Sequence, residues 1–152
     1  MVRVVNRSAD QFLGLVGQSL GVGDWQKVTQ SQVCLFADAT HDHQWIHVDP
    51  ERARSGPFGV SIAHGFLTLA LLPELLGPLL RVGSSRLAVN YGLNRVRFPA
   101  PVPVGARIRA TAVLKDAAKF DGGIQIVLFA TVEIDGHPKP ACVAETITRY
   151  YS

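Results

Sequence analysis

The segment from Ile62 to Leu80, mostly Leu, Ala and Phe, constrains this chain more than any other part of it. A membrane helix needs about 20 predominantly apolar residues. His64, Thr68, Pro73, Glu74, Gly77 and Pro78 interrupt the run, so it does not read as lipid-facing. A helix apolar on most sides is otherwise a buried one. The wrapping has to come from the second half of the chain. There Leu87 to Phe98, Arg107 to Leu114, Gly123 to Ile134 and Ala141 to Tyr151 read as strands. Asp121-Gly122 and Asp135-Gly136 are turn dipeptides, which indicates an antiparallel meander. Pro99, Pro101 and Pro103 break the chain between the first two strands. The expected fold is α+β: a long central apolar helix, kinking or ending around Pro73 to Pro78, wrapped by a curved antiparallel β-sheet. The pattern alone leaves other α+β arrangements open.

The first half reads as helices. Ser8-Ala9-Asp10-Gln11 has capping-box spacing and opens a short helix ending near Gly14 or Gly17. Thr29-Gln30-Ser31-Gln32 repeats that spacing ahead of Val33, Leu35, Phe36 and Ala37. Asp49-Pro50-Glu51 supplies a cap, a first-position proline and an acid for a third helix. The 152 residues carry no internal repeat or linker and fit one domain spanning 1–152.

Charged residues make up 18% of the chain, below the roughly 25% of an average soluble protein. With 47% apolar residues, this predicts a large core, an apolar subunit interface, or both, and hence a homo-oligomer. The net charge of +3 is not concentrated in any basic run, so nucleic-acid binding is not expected. A mild positive bias still suits a phosphorylated small molecule. Cys34 and Cys142 sit in apolar surroundings and read as buried, reduced thiols. Met1 to Asp10 has no apolar stretch resembling a signal peptide, and the expected location is cytoplasmic.

The densest polar cluster is Ala39-Thr40-His41-Asp42-His43-Gln44-Trp45-Ile46-His47-Val48-Asp49, a predicted loop between two helices. On a regular helix, Asp42 and His47 would stand roughly 140° apart, so they meet only if the chain turns between them. Ile62-Ala63-His64-Gly65-Phe66 marks the start of the buried helix. The first N–H groups of a helix are unpaired, and glycine lets a ligand atom approach the backbone closely. That combination suits a carbonyl oxygen that gains negative charge during reaction.

Asp42 to His47, followed eighteen residues later by Gly65, resembles the MaoC-like dehydratases, the (R)-specific enoyl-CoA hydratases. Their motif reads G-D-x-N-P-x-H, then a helix opened by A-H-G or V-H-G. Phe36 to Thr40 and Asn94 to Gly105 are also similar to the family, and the resemblance runs from Val22 onward. His41 stands where the family usually has glycine, and Gln44-Trp45 replaces Asn-Pro. The Asp-His-Gln-Trp-Ile-His run resembles a subgroup that includes nodulation-protein-N-like members.

The resemblance implies a single hot-dog domain and a reversible syn addition of water to a trans-2-enoyl-CoA, giving an (R)-3-hydroxyacyl-CoA. Asp42 and His47 would activate the water and handle its proton, and the Gly65 N–H would bind the thioester oxygen. Gln44 would support the loop. Trp45 would line the acyl space or, more simply, anchor the loop. Arg86, Arg95 and Arg97 would meet CoA phosphates, although strand arginines are more often plain surface residues. The implied substrate is an acyl-CoA or acyl carrier protein thioester, with no metal and no cofactor beyond the CoA of the substrate. No membrane association is implied, and the expected assembly is a homodimer joined edge to edge. Rival readings are a hot-dog thioesterase and a non-catalytic acyl-thioester-binding subunit.

Plainer readings hold elsewhere. Asp49 reads as a helix cap, His137 as an exposed turn residue, and His64 as structural, fixing the helix start. His41, Asp42, His43 and His47 match neither H-E-x-x-H nor a Cys/His metal cluster.

Overall fold

A computed structural model describes residues 6–152. Residues 1–5, part of the stretch considered for a signal peptide, lie outside it. Three long strands form the meander expected from the turn dipeptides: β6 (Arg107–Phe120), β7 (Gly123–Ile134) and β8 (Cys142–Tyr151). Gly122 and Gly136 take φ of 100° and 72°, where a side chain is disfavoured. Ile108, Ala110, Ala112 and Leu114 pair with Ile134, Val132, Ala130 and Leu128, and all eight are buried. The period of two thus makes one continuous apolar face. β6 runs past the expected limit of Leu114 because the register shifts between Leu114 and Asp116. That bulge ends the simple alternation without ending the strand.

The fourth long strand, β5 (Leu87–Arg97), pairs with β8 and stands at the sheet edge. Two short strands, β2 (Ser19–Val22) and β3 (Gln26–Lys27), pair with β6 on the other side, giving the order β2-β6-β7-β8-β5 with β3 also on β6. β1 (Asn6–Arg7) and β4 (Arg81–Val82) form a separate parallel pair. Sequence patterning did not reveal β1 to β4, each too short for a period to show.

Three helices start where expected. α1 (Ala9–Leu13) is closed by the reciprocal Ser8–Gln11 capping box and ends at Gly14. α2 (Gln30–Thr40) is capped by Thr29, and α4 (Pro50–Arg54) by Asp49 with Pro50 inside its first turn. Between them lies α3 (Trp45–Val48), a single turn where a loop was expected.

The long central helix is observed as two short ones, α5 (Gly65–Ala70) and α6 (Leu72–Leu76). Pro73 has no N–H to give the Leu69 carbonyl, which bonds Leu71 N–H instead. The backbone bonds Leu71 to Leu67 and Leu75 to Leu71, both 3.0 Å, carry the chain across the break. The segment is not apolar to its surroundings on every side, since Phe66 is 70% exposed. Leu67, Leu72, Leu75, Leu76, Leu79 and Leu80 join the sheet residues in one core. Among the described residues no helix is long and apolar enough to cross a membrane.

Leu114, fully buried against this core, sets the scale of its stability. Leu114→Ala is expected to cost about 2–5 kcal/mol in urea unfolding, and Leu13→Ala, at an exposed site, under about 0.5 kcal/mol. Equal losses at the two positions would contradict this core.

Candidate active site

The turn that brings Asp42 and His47 together is made by His41, which ends α2 in the left-handed region at φ 61° and ψ 20°. It is the one described non-glycine residue with positive φ. Glycine adopts this conformation freely, which explains why glycine was expected at the position that His41 occupies. Asp42 thereby leaves the helix axis, and the chain re-enters a helical turn at Trp45 with His47 inside it.

His47 is 6% exposed, and its Nδ1–H donates to the Ile62 carbonyl at 2.7 Å. A carbonyl only accepts, so the neutral ring keeps its lone pair on Nε2. Burial, aided by the nearby His64, holds the His47 pKa below its usual 6.5 against the opposing pull of the Ile62 carbonyl and Asp42. The imidazole is therefore a neutral base at neutral pH.

His64 is brought into the same cluster. It is 3% exposed and its ring stacks on His47, with centroids 3.8 Å apart and planes 24° apart. Its Nε2–H donates to the Asp42 main-chain carbonyl at 2.9 Å, and the same nitrogen lies 4.0 Å from the Asp42 carboxylate, which is half-exposed. Gly65 follows directly as the first residue of α5. The first intrahelical bonds belong to Leu67 and Thr68, both on the His64 carbonyl, so the Gly65 N–H is among the groups the helix leaves over. A Cβ on Gly65 would come within 3.0 Å of the Phe98 ring, which lies over this residue.

The structure thus brings Asp42, His47 and Gly65 together, and it adds His64, Phe98 and the Ile62 carbonyl. The expected support from the Gln44 side chain is not what is seen. That amide makes no capping bond, and it is the Gln44 carbonyl that accepts His47 N–H at 3.0 Å. Side-chain support comes from Gln30, whose Nε2 donates to the His47 carbonyl at 2.7 Å. Trp45 is half-buried against Gly56 and beneath the Arg52 guanidinium, 4.3 Å from its ring, so it anchors the turn. Arg95 and Arg97 are exposed near the end of β5 that runs into Phe98. Arg86 precedes the opposite end of that strand, on the order of 35 Å away at about 3.3 Å per residue.

One donor atom each from Asp42, His47 and His64 falls within 4.8 Å of the others, a distance a metal ion can bridge. A carbonyl occupies one nitrogen of each ring, which leaves His47 Nε2 and His64 Nδ1 without a protein partner among the described residues.

An antiparallel sheet curled against a helical segment, with an Asp/His pair at the head of that segment, defines a hot-dog protein. Residues 11–137 match the family described as MaoC like domain, and the chain belongs to that family. It is 59% identical to the 3-hydroxyacyl-thioester dehydratase Z of Mycobacterium tuberculosis (strain ATCC 25618 / H37Rv), over 94% of this chain and 95% of that protein. It is 47% identical to the Nodulation protein N of Rhizobium leguminosarum bv. viciae, over 88% and 84%. Among solved structures it resembles an (R)-hydratase from A. caviae involved in PHA biosynthesis, with a TM-score of 0.71, 25% identity, and coverage of 88% and 94%.

A left-handed non-glycine residue costs about 1–2 kcal/mol, and glycine there gives back about 0.5–1 kcal/mol in unfolded-state entropy. His41→Gly is therefore expected to stabilise the protein by about 0.5–1 kcal/mol in denaturant unfolding. A destabilised variant would show that His41 carries an interaction outweighing its backbone strain.

Proposed function

We propose that this chain is a hydro-lyase that adds water reversibly to trans-2-enoyl thioesters, giving (R)-3-hydroxyacyl thioesters. The observation that carries the reading is a buried, neutral His47 imidazole with its Nε2 lone pair available, next to the Asp42 carboxylate and stacked on His64, the residue just before an unpaired helix-start amide. The names of the relatives at 59% and 25% identity support it.

Hydration places a hydroxyl on C3 and a proton on C2. Attack at C3 pushes the C2–C3 electron pair toward the thioester oxygen. In this reading the Gly65 N–H holds that oxygen as it gains charge, a contact worth about 3 kcal/mol of barrier in other enzymes. Asp42 and His47 bind the water between them, take its proton and return one to C2 on the same face. No electrons leave the substrate, so the chemistry asks for no redox cofactor, and CoA enters as part of the substrate. A cavity of about 870 Å³ begins one turn beyond Gly65 and is lined by Leu69, Leu72, Leu76, Ala88, Gly92 and Leu128. It offers apolar room for an acyl tail.

The partner in assembly is proposed to be a second copy. β5 ends the strand order with its outer edge unpaired among the described residues, and Leu87, Val89, Tyr91 and Leu93 on it are 44–55% exposed. Light scattering should give the mass of a dimer, and a monomer would refute the edge pairing. The free thiols of Cys34 and Cys142 fit a reducing cytoplasmic setting.

Crotonyl-CoA and longer enoyl-CoAs should lose their enoyl-thioester absorbance on addition of the protein, with an R product by chiral analysis. Release of CoA thiol instead would establish the rival thioesterase. Asp42→Asn and His47→Gln should each lower kcat by about a hundredfold to ten-thousandfold. Unchanged cellular function in both variants would favour a non-catalytic binder.

Protonation removes the His47 lone pair. The acid limb of kcat/KM should therefore fall with an apparent pKa below 6.5, activity being held above it and lost as pH drops through it. An acid limb above 6.5 would exclude His47 as the base.

A further inference from the structure

His64 occupies the N-cap position of α5, where Ser, Thr, Asp or Asn would satisfy a spare helix N–H. Its ring makes no such bond and is turned toward the preceding loop. There Nε2–H holds the Asp42 carbonyl at 2.9 Å, while the ring face lies on His47 at 3.8 Å. Phe36, from α2, packs on the ring at 4.9 Å. The other ring nitrogen, Nδ1, is buried and bonds to no described protein group. A buried polar atom without a partner is a cost that an apolar side chain would avoid. The histidine is thus poor as a cap and imperfect as core. What it does supply is a rigid link from Asp42 to His47, one residue from Gly65.

We propose that His64 is a positioning residue, holding Asp42 at its distance from His47 by gripping the Asp42 carbonyl, His47 being held separately by the Ile62 carbonyl; this rests on the hydratase reading above. Asp42 follows a strained left-handed residue and has a half-exposed carboxylate, so little else on its own side restrains it. With the donor gone, Asp42 drifts while the substrate-binding surfaces stay in place.

Two variants separate positioning from bulk stability. His64→Phe keeps an aromatic face on His47 but loses the donor, and His64→Gln keeps an amide donor at nearly the same reach but loses the stack. With rates corrected for folded fraction by circular dichroism, His64→Phe should lose about a hundredfold in kcat with KM within about threefold. His64→Gln should recover to within about tenfold of wild type. Wild-type kcat per folded molecule in His64→Phe would overturn the proposal, as would equal losses in the two variants. Should His64→Phe fail to fold, His64→Gln decides alone: a loss as large as that of Asp42→Asn overturns the proposal, and retention within tenfold supports it. A crystal structure of His64→Phe gives a readout free of any activity, with Asp42 expected to move by about 1 Å. An unmoved Asp42 overturns the clamp. If wild type hydrates no enoyl-CoA yet Asp42 moves, the clamp stands and the hydratase reading falls.

Discussion

Ile62 makes two hydrogen bonds on which the geometry of the site depends. Its N–H donates to the Ile46 carbonyl at 3.0 Å, and its own carbonyl accepts from His47 Nδ1 at 2.7 Å. The turn that carries His47 is thereby tied to the start of the helical segment. The residues on either side of Ile62 are tied in the other direction, since Ala63 N–H reaches Val102 O and Val104 N–H reaches Ser61 O, both at 2.8 Å. The strip from Ser61 to Ala63 therefore lies between α3 and the proline-rich crossing, bonded to both. It cannot shift without breaking buried backbone bonds, each of which leaves an unsatisfied group costing about 1–3 kcal/mol. The helix beyond it is held by a different force. Leu67, Leu72, Leu75 and Leu76 lie in the core shared with β6 and β7. Hydrogen bonds fix where α5 begins, and apolar burial fixes how it lies.

That division of labour puts unlike environments a few ångströms apart. His47 and His64 are in the dry strip, where charge is disfavoured, and Asp42 is at its rim. Charge on His47 is disfavoured there by burial first and then by the second imidazole stacked on it, since positive charges so close would repel with little water to screen them. The proximity of His64 thus reinforces the burial that keeps His47 neutral, and the Ile62 carbonyl selects which nitrogen of the neutral ring carries the proton.

Much of this was legible in the sequence, and the reasons differ by element. The caps at Ser8, Thr29 and Asp49 and the glycine turns at 122 and 136 are local, and each is where the residues indicated. The Asp42–His47–Gly65 set was legible through spacing and resemblance. The single turn of α3 was not, because four residues are too short for any period. The break at Leu71 was anticipated too late in the chain: Pro73 acts on the carbonyl four residues before it, so the interruption precedes the proline. The partner of His47 is a backbone carbonyl, which every residue has, so no side-chain pattern marks Ile62. His64 was legible as a residue at the helix start. Its contact with Asp42, across twenty-two residues, requires the fold.

The edge strand shows how far the site's geometry extends from its chemistry. β5 carries register shifts between Asn90 and Gly92 and between Leu93 and Val96, so it bends twice along β8 before reaching Arg97. It then delivers Phe98, whose ring lies over Gly65 and meets Phe66 edge-on at 6.2 Å. A bulged strand turns its side chains away from a flat alternation. Nearly all of β5 is exposed, Leu87, Val89, Tyr91 and Leu93 included, and the strand still ends with an aromatic ring packed on the helix start. A Cβ at position 65 would press on the Phe98 ring, which would have to give by a few tenths of an ångström, and the bends of β5 determine where Phe98 sits. The sheet edge therefore crowds position 65 from the side of Phe98, so a side chain there would displace the ring that covers the helix start.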